Sequence, residues 1–142
     1  MLNHRLMGFY RIFSLPGWVV RQVELDELMA RYHITIEVES EVTSCPLCGA
    51  TTLPYRFGYR EKRLADFPLH MKPVQLVARR RRYQCRVCRG TFLDEMPSID
   101  PRYEATSRLV EYIQAASLHP RRTFAQLASD LGVSETFVRS IF

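Results

Sequence analysis

The sequence predicts an α+β chain in three segments. A β-hairpin occupies residues 1–44, an antiparallel β ribbon clamped by four cysteines occupies 45–98, and a three-helix helix-turn-helix unit occupies 99–142. Three observations carry this. Two early runs alternate apolar and polar residues, the cysteines fall in two C-x-x-C pairs, and the residues after Asp100 switch to helical spacing.

The hairpin comes first. Residues 18–25 and 33–38 ("HITIEV") each alternate with the period of a strand, and a polar stretch joins them. Between Gln22 and Ser44 six acidic residues stand against Arg31, a net of −5. Such a face repels phosphates, so the hairpin is assigned to packing against the ribbon or a partner. Ahead of it, "MLNHRLMGFYRIF" is broken by Arg5 and Arg11 and has no small-residue cleavage site. No signal peptide is expected, and no stretch is apolar enough to span a bilayer. A cytoplasmic, reducing setting follows, in which four cysteines suit metal ligation better than disulfides.

The ribbon rests on "CPLCG" (Cys45, Cys48) and "CRVCRG" (Cys85, Cys88), with residues 49–84 between the pairs. A C-x-x-C turn aims both sulfurs at one point, and two such turns complete a closed tetrahedral shell. One structural Zn2+ is the expected cofactor, and the ribbon is then a zinc ribbon. A redox pair, an iron–sulfur cluster and four unrelated buried cysteines are the competing readings. His33 and His70 are not needed as ligands, because four thiolates already fill the shell. The intervening chain must leave and return, as antiparallel strands do. "VQLVARRRRYQC" has a β-rich start, and Pro68 and Pro73 bracket "LHMK" as the turn.

Charge concentrates on this ribbon. Of 20 basic residues 18 are arginine, and from Arg56 to Arg89 the net charge is +9 within a chain of +5. Four thiolates around zinc bring the loaded chain nearer +3. Strand alternation places Arg79 and Arg81 on one face, Arg80 and Arg82 on the other. The planar arginine fork suits phosphate and guanine edges, so these four, with Lys62 and Arg63, are candidate DNA contacts. Ordinary solubility charge is the competing account, as is service to the metal site by one or two of them.

The last segment reads as helices. Asp100 and Pro101 look like an N-cap and first helical residue, followed by Leu109, Val110, Ile113 and Ala116 at helical spacing. Thr123 and Gln126 fit a capping box, Gly132 ends that helix, and Ser134 caps another. A short helix, a glycine turn and a second short helix predict a helix-turn-helix, with a plain helical hairpin as the alternative. Ser134, Thr136 and Arg139 then face base edges, Glu135 is the awkward member of that helix, and Arg121 and Arg122 are placed for phosphates.

The order of these features resembles the N-terminal region of the ISL3-family bacterial transposases. The resemblance is carried by "SLPGWVVRQVEL", "HITIEVES", "CPLCG", "RYEATSRLVEYI" and above all by "LADFP", "RRRRYQC" and "TFLDEMP". It implies a nucleoid-associated bacterial protein that recognises the terminal inverted repeats of an insertion sequence, in transposition and DNA recombination. Members of that family continue into an RNase H-like catalytic domain with an acidic, metal-binding triad. This chain stops at Phe142, and Asp66, Asp94, Glu95 and Asp100 sit in small modules. It is read as a fragment or a solo version that keeps the recognition half, not as an enzyme.

The expected partner is therefore double-stranded DNA at inverted-repeat ends, with self-association into a homodimer as a second partner, and with no membrane and no small-molecule substrate. The alternative is a stand-alone zinc-binding adaptor or transcriptional regulator that works through protein contacts.

Overall fold

The computed structural model describes residues 13–142. The expectation that no leader peptide opens the chain rests mainly on residues 1–12 and lies outside the described residues. Among the described residues the chain forms seven strands and three short helices. The strands are β1 (Trp18–Asp26), β2 (Arg31–Val38), β3 (Tyr55–Leu69), β4 (Lys72–Gln84), β5 (Thr91–Leu93), β6 (Ile99–Asp100) and β7 (Ala105–Thr106). The helices are α1 (Ser107–Ser117), α2 (Phe124–Leu131) and α3 (Glu135–Ile141). The sheet runs β1-β2-β4-β3-β7-β6, and β5 pairs with the far end of β4.

This overturns the α+β arrangement expected from the sequence. The protein is mostly β, built on a single mixed sheet that takes strands from the hairpin, the ribbon and the C-terminal segment alike. Its defining contact is a parallel pairing of β2 with β4, from Tyr32 opposite Val74 to Ile36 opposite Ala78. The cause is apolar complementarity. Ile34, Ile36, Leu76 and Ala78 are wholly buried on one face, under Phe13, Leu15, Trp18 and Ile99. Each large aliphatic side chain so buried contributes roughly 1.5–3 kcal/mol. The Trp18 indole donates to the Pro97 carbonyl at 2.6 Å, which ties the hairpin to the chain leading into β6.

No separate three-helix helix-turn-helix unit forms. The helices share a second apolar cluster with Ala65 and Phe67 of β3 and with Tyr103. Gly132, left-handed at φ 68°, lies so close to β4 that a Cβ would stand 2.7 Å from Pro73 Cγ. The turn between α2 and α3 is thus pressed onto the sheet, and α3 has only seven residues. The caps at Thr123 and Ser134 form as their side chains dictate, accepting from the amides of Gln126 and Phe137, each at 3.0 Å.

Asp100 does not cap a helix. Its carboxylate accepts from the Arg102 amide and guanidinium, and Ile99–Asp100 pairs with Ala105–Thr106 as a small hairpin. The helix starts later, at Ser107. The preceding Thr106 hydroxyl donates to buried Asp66 at 2.7 Å, and Asp66 also accepts from Arg108.

Candidate metal centre and nucleic-acid interface

The long β3–β4 hairpin carries the site at its far end, where β4 runs into Cys85. Both cysteine turns close in the same way. The amide of the first cysteine donates to the carbonyl five residues on, Cys45 to Ala50 and Cys85 to Gly90, each at 2.9 Å. The amide four residues on returns the bond, Gly49 to Cys45 at 2.9 Å and Arg89 to Cys85 at 3.2 Å. That returning residue is left-handed in both turns, φ 77° at Gly49 and 64° at Arg89. Gly90 serves a different need. A Cβ there would stand 2.4 Å from Leu47 Cδ1, so its bare backbone lets the first turn close over the second.

The four sulfurs lie within 4.8 Å of one another. Cys45 and Cys88 Sγ are 3.8 Å apart, Cys48 and Cys85 Sγ 3.6 Å. A tetrahedron with metal–sulfur bonds of about 2.3 Å has edges of about 3.8 Å. These are the spacings of one shared ion. They are far too long for disulfides, and they leave no room for a multi-iron cluster between the sulfurs.

Backbone amides point at the sulfurs as well: Leu47 to Cys45, Val87 to Cys85 and Gly90 to Cys88, at 3.3, 3.3 and 3.4 Å. The amides of Cys88 and Val87 lower the Cys85 thiol to about 6. The Gly90 amide pulls Cys88 down, but burial and the crowding of the other three sulfurs outweigh it and push Cys88 up to about 11. Negative charges on sulfurs this close repel one another, and a doubly charged cation between them offsets that repulsion.

The arginine row splits by face. Arg79 and Arg81 turn toward β2, where buried Glu37 accepts from Arg79 at 3.2 Å and Arg21 at 3.1 Å, with Arg81 at 3.9 Å. Arg81 is only 7% exposed, and its guanidinium donates to the carbonyls of Val38 and Ser40. It fastens the end of β2 to the ribbon. Arg56 pairs with Glu41 and adds to this neutralised side.

On the other face Arg80 is anchored, donating to the Asp94 carbonyl at 2.6 Å. Burial pushes the Asp94 carboxyl above its ordinary value, against the Arg81 amide and the two nearby guanidinium charges that lower it. Arg82 is half-buried and lies over the Phe57 ring at 4.8 Å. Exposed Arg60 stands across from Arg80, and Arg86 lies over the Tyr55 ring at 3.8 Å. Among the described residues none of Arg60, Arg82 and Arg86 meets a carboxylate, unlike Arg79 and Arg81.

The other predicted contacts are scattered. Lys62 is engaged by Glu104 at 2.5 Å, and Arg63 is exposed beside it on β3. Arg121 is exposed, while Arg122 donates to the Tyr112 hydroxyl at 2.8 Å and approaches Asp130. The Ser134 hydroxyl is used as a cap, Thr136 is exposed, and Arg139 is held by Glu135 at 2.6 Å and lies over Phe124. His33 stands 4.0 Å from Asp26, and His70 bonds the Tyr32 hydroxyl at 3.1 Å, both outside the sulfur cluster. Sequence reasoning missed Tyr55, Phe57, Arg60 and Arg86. The alternation in "YRFGYR" is the signal for the first three, and Arg86 sits inside the second cysteine pair, "CRVCRG".

Sheet, cysteine turns and sulfur cluster together define a β protein bearing a four-cysteine metal ribbon of the structural zinc type. Residues 41–88, about a third of the chain, match the family model described as the zinc-finger of transposase IS204/IS1001/IS1096/IS1165. This supports an ISL3-type transposase zinc ribbon at that position. No curated protein and no solved structure matches the chain. No helix among the described residues is long and apolar enough to cross a membrane.

Proposed function

We propose that this chain binds DNA at the terminal inverted repeats of an insertion sequence, through the ribbon rather than through its helices. The observation that carries the reading is the asymmetry of the β3–β4 hairpin. One face spends its arginines on Glu37, and the other leaves Arg60, Arg82 and Arg86 without acidic partners. Cys45, Cys48, Cys85 and Cys88 would hold zinc, which supplies rigidity and no chemistry on the substrate. Buried Arg81 and anchored Arg80 brace the strand, while Arg60 and Arg82 meet phosphates.

Binding then falls steeply with salt. Arg60→Ala with Arg82→Ala is expected to flatten the slope of log affinity against log salt by roughly two. Competition between an inverted-repeat duplex and an unrelated duplex measures selectivity. A wild-type affinity that does not change with salt would sink the reading. A second reading, an adaptor or dimer, draws on the apolar tip at the opposite end, where Leu28, Met29 and Met71 are exposed. It predicts a salt-insensitive homodimer in sedimentation and no retention of duplex DNA.

A further inference from the structure

We infer that Tyr55 and Phe57 form a stacking platform for unpaired nucleobases, so that the ribbon takes a DNA strand whose bases have left the duplex. This rests on the DNA-binding reading and names the form of DNA that the site prefers.

Tyr55 and Phe57 are 45% and 41% exposed on a strand whose continuation buries Leu64. Tyr55 stands across from Gln84, and Phe57 falls in the bulge between Arg56 and Tyr59, where Arg82 reaches its ring. A guanidinium lies over each, Arg86 on Tyr55 and Arg82 on Phe57. A ring topped by an arginine plane offers a base both a π-face and a cation, while the same arginines attract the phosphates. A closed duplex hides the faces of all but its terminal base pairs, so rings presented in this way gain most of their stacking partners when bases unpair.

A neighbouring aromatic shows what a structural ring looks like here. Tyr83 is 1% exposed and stacked on Phe92, with centroids 5.5 Å apart. Tyr59 is as exposed as the pair, at 49%, but lies past the bulge between Arg56 and Tyr59, opposite Arg81, and its guanidinium partner Arg79 is already held by Glu37. Among the described aromatics of this hairpin, only the pair nearest the sulfur cluster combines exposure with arginines that meet no carboxylate. Arg86 is itself steadied by donating to the Leu53 carbonyl at 2.6 Å, which holds it over Tyr55.

The test is fluorescence anisotropy of the zinc-loaded full chain on a blunt duplex and on the same duplex carrying an unpaired thymine tail, at one salt concentration. The tail should tighten wild-type binding. Tyr55→Ser with Phe57→Ser should abolish that gain, roughly five- to hundredfold per ring, and cost blunt binding far less. Tyr55→Trp with Phe57→Trp, which keeps the stacking surface, should keep the gain, and zinc content reports whether each variant folds. Equal wild-type affinity for both DNAs, with salt dependence intact, overturns the platform and spares the DNA reading. An equal loss on both DNAs in the serine variant also overturns the platform. Binding to neither DNA brings down both.

Discussion

The two halves of β4 are held by different physics. From Val74 to Ala78 the strand lies between β2 and β3, with Leu76 and Ala78 wholly buried. From Arg79 to Gln84 it keeps β3 on one side, across a bulge, gains the three-residue β5 on the other only from Arg82 on, and ends in a cysteine turn. The first half is stabilised by apolar burial. The second half buries few large apolar groups besides Tyr83 and is fixed by sulfur geometry, by Arg81 and by ring–guanidinium contacts. A strand clamped at its end by an ion need not bury its side chains to stay ordered. That freedom lets the far half show arginines and aromatic rings to solvent.

Removing the metal should break this comparison most visibly. Ligation in small zinc modules is worth on the order of 10 kcal/mol, far more than the few apolar contacts of the far half. Chelation, or Cys85→Ser, is expected to abolish amide protection over residues 45–60 and 80–93. Protection in β1, β2, the first half of β4 and α1 should survive, because their core is separate. Hydrogen exchange followed by NMR reads the two regions independently. Full protection of residues 80–93 in metal-free protein would refute the clamp.

The converse experiment sharpens the contrast. Leu76→Ala empties a wholly buried position in the first half and should cost about 2–5 kcal/mol in denaturant unfolding. Zinc stoichiometry in native buffer should stay at one per chain, since no ligand is touched. A cost below about 1 kcal/mol would mean that apolar packing is not what holds this half.

Some of this was legible in the sequence. The two C-x-x-C pairs specify a sulfur shell because ligand spacing is a local property, and strand alternation separated Arg79 and Arg81 from Arg80 and Arg82 correctly. The caps at Thr123 and Ser134 are local as well. What was hidden depends on long-range pairing. Nothing near "HITIEV" says that it will run parallel to "VQLVA" across more than thirty residues, yet that pairing makes the sheet and places Glu37 under the arginines. Half of the arginine run is thus spent inside the protein, Arg79 and Arg81 on Glu37 and on the end of β2. Asp100 misled for the same reason. A capping residue and a turn-forming aspartate look alike until the pairing of Ile99 with Thr106 decides between them.

The smallest predicted effect lies inside the clamp, where the two turns differ at one residue. Gly49 and Arg89 occupy the same left-handed position, which costs a residue with a Cβ about 1 kcal/mol and glycine almost nothing. Glycine also loosens the unfolded chain by several tenths of a kcal/mol, which offsets part of the gain. Arg89→Gly should therefore stabilise the loaded ribbon by about 0.5 kcal/mol, roughly a twofold tighter hold on zinc in chelator competition. Gly49→Arg, the reverse exchange, adds the strain and regains those tenths from a stiffer unfolded chain, so it should weaken the hold by a similar factor. The Arg89 side chain is exposed, so the same variant also reports on DNA. Tighter zinc with an unchanged salt slope makes Arg89 a bystander, and a slope reduced by about one makes it a phosphate contact kept in spite of its strain. Weaker zinc binding in Arg89→Gly would show that this backbone position does not control the fit of the clamp.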